Sequence, residues 1–65
     1  MTREDEIAMV RRHVLQAERQ VARQSAIVTT LRARDADTTV ADQVLAGFED
    51  ALARHRAQLA RLTPR

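Results

Sequence analysis

Along the first half of the chain the large apolar side chains recur at alternating steps of three and four. Ile7, Val10, Val14, Ala17, Val21, Gln24, Val28 and Leu31 form the seam of a heptad repeat, with Gln24 as its one polar member. No Gly or Pro interrupts this stretch, so the spacing predicts a single helix over about 2–34. A second seam, Ala41, Leu45, Phe48, Leu52, His55, Leu59 and Leu62, predicts another over about 38–62, ending before Pro64 because the residue ahead of a proline is biased away from helical geometry. Thr2 is expected to cap the first helix. Glu4, Asp5 and Glu6 place negative charge at the positive end of its dipole, and Arg32 and Arg34 place positive charge at the other end.

Between the seams lies Asp35-Ala36-Asp37-Thr38-Thr39, whose short side chains suit turns and helix starts. Asp37 or Thr38 is the expected N-cap, and Asp35 is expected to take the left-handed conformation that follows many helices. So short a linker makes the helices antiparallel. Residues should then meet where their numbers sum to about 72, setting Val28 against Val44 and Leu45, Gln24 against Phe48, Val21 against Leu52, Ala17 against His55 and Val14 against Leu59, with residues 1–9 overhanging. The fold class is all-α: one antiparallel two-helix hairpin, residues 1–65 forming a single domain.

At ~1.5 Å per residue the first helix is roughly 45 Å long, while packed helices lie only ~10 Å apart, so a lone hairpin is a thin rod with partly wet seams. More apolar material is present than one helix pair can cover. Met9, Leu15 and Ile27 with Ala8, Ala22 and Ala26 widen the first stripe, and Val44, Ala46, Ala51, Ala53 and Ala60 flank the second. Stripes this broad belong to bundles. The expected association surface is Ile7, Val10, Val14, Leu15, Val21, Ile27, Val28, Leu31, Val44, Leu45, Phe48, Leu52, His55, Leu59 and Leu62. Its expected partner is a second copy, making a homodimeric four-helix bundle, or another helical protein.

Composition strengthens the expectation of association. Sixty-five residues are near the lower limit for a self-sufficient core, and with no cysteine neither disulfides nor thiolate metal sites can staple it. One Gly, one Pro and a single aromatic, Phe48, argue against an all-β chain. The longest apolar run, Ile7 to Val10, is far short of the roughly 20 residues of a membrane span. An acidic N-terminus is unlike a secretory signal, so a cytoplasmic location is expected.

Charge is nearly balanced, at 11 basic against 9 acidic residues, and every basic residue is arginine. Nucleic-acid binding would therefore depend on local clustering, for which Arg12, Arg19 and Arg23, within about 40° on the outer face of the first helix, are the candidates. No aromatic residue interleaves them, so base stacking is not on offer and a solvated face is the plainer reading. His13 and His55 should lie about one helical turn apart on opposite helices. A zinc site needs three or four ligands, which Glu18 or Glu49 would have to complete. His55, in an apolar seam, more commonly fixes register, and its protonation is a route by which acid would weaken an assembly. A metal- or pH-responsive bundle is thus a third class of reading.

Gly47 falls mid-helix, at a cost of about 1 kcal/mol relative to Ala, either to admit a partner helix or as a neutral exposed position. Asp50 and Arg54 are placed for an i,i+4 ion pair. For catalysis the parts are missing: no Gly-rich phosphate loop, no cysteine or lysine, one serine, Ser25, and no room between two helices for a pocket of ~300 Å³. No enzyme activity, cofactor or small-molecule substrate is expected.

The pattern Arg11-Arg12-His13-Val14, Glu18, Val21-Ala22-Arg23-Gln24, Leu31, Asp37-Thr38, Ala41, Leu45, Phe48-Glu49, Leu52, His55-Arg56 and Leu59-Ala60-Arg61-Leu62 resembles a group of small uncharacterised helical-hairpin proteins of alphaproteobacteria, especially rhizobia. That resemblance implies a bacterial, cytoplasmic protein and assigns no activity. In architecture alone the chain is similar to the Rop-type plasmid regulators, hairpin dimers that bind paired RNA loops, with no shared motif. The function expected from the residues is an interaction or regulatory module acting by helix-helix association, with an arginine-stripe nucleic-acid accessory protein as the alternative.

Overall fold

A computed structural model describes residues 2–64. It consists of two helices, α1 (Arg3–Ala33) and α2 (Thr39–Leu62), folded back on each other as an antiparallel hairpin of 49 × 19 × 13 Å. Both helices lie within one residue of the bounds expected at three of their four ends. The fourth, at Leu62, coincides with expectation.

Local chemistry accounts for each end. Thr2 caps α1 through a reciprocal box: its hydroxyl accepts from the Asp5 N–H at 3.1 Å, and its own N–H donates to the Asp5 carboxylate at 3.4 Å. At the other end the Ala36 N–H donates to the Leu31 carbonyl at 3.0 Å and the Asp35 N–H to the Arg32 carbonyl at 3.1 Å. These are the two bonds of a Schellman motif, which requires a left-handed residue between helix and turn. Asp35 supplies it at φ 54°, as the sequence predicted. Where glycine would take this conformation without cost, a short polar side chain tolerates it.

The start of α2 divides the capping role that the sequence assigned to Asp37 or Thr38. Thr38 occupies the N-cap position but makes no side-chain capping bond. Its hydroxyl instead donates to the Asp42 carboxylate at 2.8 Å, and Asp42 also receives the Arg32 guanidinium at 3.3 Å, tying the turn to both helices. Asp37 makes the capping contact, accepting from the Thr39 N–H at 2.9 Å and the Thr39 hydroxyl at 2.7 Å. Those two bonds, the hydroxyl's first, hold the Asp37 carboxyl below its ordinary value. Thr63 closes α2, its N–H and hydroxyl both donating to the Leu59 carbonyl.

Every residue of both seams is buried or half-buried, but only Val10, Ala17, Val28 and Leu52 are fully so. The core is a single thin line between two cylinders. Gln24 contributes polar specificity to it. The pairing estimate set this residue against Phe48, yet its amide donates to the Ala41 carbonyl at 3.0 Å, nearer the turn. A carbonyl oxygen carries two lone pairs, so one already used in the helix ladder can accept a second bond. No buried side-chain polar atom among the described residues lacks a partner.

Candidate association face

Two ion pairs define the sides of the rod. Arg32 meets Asp42 at 3.3 Å and Glu18 meets Arg56 at 3.0 Å, each joining α1 to α2. With the seams as heptad positions a and d, all four of these residues occupy position e, and in an antiparallel pair the e positions of both helices share one flank. The opposite flank belongs to position g. There, between the two ends, stand His13, Gln20, Ile27, Val44, Ala51 and Gln58, none of them an acid, lysine or arginine. One edge of the hairpin is laced with charge and the other is not.

On or beside the uncharged flank stand three of the four exposed large apolar side chains among the described residues. Ile27 is 44% exposed and Val44 40%, and both occupy position g, on the same flank of the hairpin. Beside Val44, one turn toward the helix start, Val40 is 71% exposed. Val40, Val44, Gly47 and Ala51 are spaced 4, 3 and 4, a second short seam on α2 that runs alongside the first. Gly47 has open space around it: a methyl group added there meets nothing within 4 Å. Within the hairpin, therefore, no close approach requires glycine.

Two hollows open on this side. One, of about 340 Å³, is lined by Arg23, Ala26, Ile27, Thr30 and Leu31. It is an open dent along α1, not the interhelical cavity that a substrate site would need. The other, of about 230 Å³, is lined by His13, Gln16, Ala17, Gln20 and His55.

The remaining expected association residues divide by burial. Val10, Val28 and Leu52 are buried inside the hairpin, so they serve its own core. Ile7, Val14, Val21, Leu31, Leu45, Phe48, His55, Leu59 and Leu62 are half-buried along the seams. Leu15, 53% exposed, lies at position b on the far side of the charged edge and stands apart from the Ile27–Val44 surface. Arg12, Arg19 and Arg23 are all exposed, and none of them forms an ion pair among the described residues. Arg23 borders the larger hollow, so the stripe reaches the edge of the uncharged flank.

His13 and His55, on different helices, are brought together as expected: their ring centroids are 5.4 Å apart, with planes inclined at 51°. Neither Glu18 nor Glu49, which would have to complete a zinc site, joins them. Glu18 is turned to the other edge by its pair with Arg56, and among the described residues no group of three or more His, Cys, Asp or Glu gathers. The Asp50–Arg54 ion pair is also absent, as an exposed pair gains too little to hold two long side chains in one geometry. No helix is long and apolar enough to cross a membrane.

Compared with protein families, with curated proteins and with solved structures, the chain matches none significantly. The functional reading accordingly rests on the geometry of the flank.

Proposed function

We propose that the protein is an interaction module whose activity is helix-helix association, and that its first partner is a second copy of itself, packed through the uncharged flank into a four-helix bundle. The observation that carries this reading is the exposure of Ile27 and Val44, each about two fifths exposed on the same uncharged flank, beside the Val40-Val44-Gly47-Ala51 seam. A face lacking charge at its centre opposes itself without like-charge repulsion, which a two-fold dimer requires and which the Arg32–Asp42 edge would not provide. The whole face measures about 49 × 19 Å, roughly 900 Å² per copy, so an interface of the standard ~800 Å² per partner would extend from the uncharged centre over nearly its full length. Binding, without catalysis, in the cytoplasm is the role this gives the chain.

The test is sedimentation of the purified chain over a range of concentrations, beside Ile27→Asp with Val44→Asp. The reading requires a dimer whose melting temperature rises with concentration, and a monomer for the doubly charged variant. A wild-type chain that stays monomeric, or a variant that dimerises equally, contradicts it.

A second reading draws on the exposure of Arg12, Arg19 and Arg23 without ion-pair partners: nonspecific contact with phosphates of RNA or DNA. It requires retention on a polyanion resin that collapses with added salt and is reduced by Arg19→Glu with Arg23→Glu.

A further inference from the structure

We propose that His13 and His55 form a two-point chelate for a divalent transition-metal ion, clipping α1 to α2. The juxtaposition carries the argument. A ring nitrogen binds zinc at ~2.0–2.1 Å, which puts the ring centroid roughly 3.2 Å from the metal, so two rings that share one ion have centroids no more than ~6.4 Å apart. The observed separation is 5.4 Å, between residues 42 apart in sequence and on different helices. Neither imidazole makes a hydrogen bond to another described residue, so no protein partner competes for the ring nitrogens.

The surroundings fix the ion's class. The hollow between the rings is lined otherwise by Gln16, Ala17 and Gln20, with no carboxylate, so hard oxygen-seeking ions such as magnesium and calcium find no charged ligand there. Neutral imidazole suits zinc, nickel and copper. About 230 Å³ leaves room for the ion and several waters at ~30 Å³ each, which complete the coordination that two protein ligands leave open. Both ligands come from one chain, but His13 stands on the flank that a second copy would cover, so the chelate is tested at dilutions where the chain is single.

Because the two ligands meet only in the folded hairpin, binding is linked to folding. Zinc chloride in excess should raise the melting temperature by several degrees, and magnesium chloride should leave it unchanged. His13→Gln and His55→Gln should each abolish the zinc effect. In the wild-type chain, substoichiometric nickel should broaden the ring-proton signals of both histidines together, a readout that needs no variant to fold. No zinc-dependent rise, a rise that survives in either variant, or broadening of one histidine without the other would overturn the chelate.

Discussion

Truncating Ile27 and Val44 together to Ala separates association from folding, because the dimer loses more than the single chain. Full burial of an Ile or Val side chain is worth ~1.5–3 kcal/mol, so covering the exposed two fifths of each is worth about 0.6–1.3 kcal/mol. A two-fold dimer covers both residues on both copies, giving about 2–5 kcal/mol. Ala keeps its Cβ, so the lower part of that range applies: a dimer weakened ~30- to 300-fold. The isolated hairpin should lose less than the dimer, since the three fifths of each side chain that it covers is lost once per chain and is offset by the helix propensity of Ala, which exceeds that of Ile and Val by up to ~0.7 kcal/mol per residue. Sedimentation equilibrium gives the dissociation constant, and circular dichroism at high dilution gives the stability of the single chain. An unchanged dissociation constant, or loss of helix in the dilute variant, would show that these residues do not do what the geometry assigns them.

Three further outcomes follow from particular positions. Gly47→Ala should stabilise the chain by about 0.8–1.0 kcal/mol if its face stays open, since the added methyl meets no neighbour within the hairpin; a lower melting temperature at dimer-forming concentration alone would mark Gly47 as a point of close contact between copies. Asp35→Gly should raise the melting temperature, and Asp35→Val should lower it by the equivalent of ~1–2 kcal/mol, because φ 54° suits glycine and penalises a branched side chain; equal melting in the three would refute the strain. The third outcome concerns pH. The Asp37 carboxyl is held below its ordinary value by the Thr39 hydroxyl and N–H, so its contribution to stability is complete above the unfolded-chain value and is lost as pH falls through the lower folded value. The difference in melting temperature between wild type and Asp37→Asn should therefore shrink on acidification below the carboxylate range, and a difference constant with pH would contradict it.

The fold was legible because its determinants are local and periodic. A 3–4 alternation without Gly or Pro dictates a helix wherever it occurs, and five short polar residues between two such runs leave only an antiparallel return. Even the left-handed Asp35 follows, since a helix that ends abruptly without glycine must place some tolerant residue there. What escaped was information that depends on pairing the helices. The charged edge emerges only when Glu18 is set beside Arg56 and Arg32 beside Asp42, residues 38 and 10 apart. Once that edge is assigned, Leu15 and Ile27, equally apolar in the sequence, fall on different sides. Val40 was passed over because a single valine one residue ahead of the main seam has no periodic partner until Val44, Gly47 and Ala51 are read with it. Long flexible side chains were the least predictable: Gln24 reached past its expected neighbour to the Ala41 carbonyl.

The central claim is that a rod with four buried residues leaves an uncharged flank that a second copy covers. Sedimentation velocity of the unmodified chain across two decades of concentration tests it most directly. The account predicts a reversible shift from one chain to two as concentration rises, with the larger species retaining full helicity. A fully helical species of one chain's mass at every concentration would contradict it.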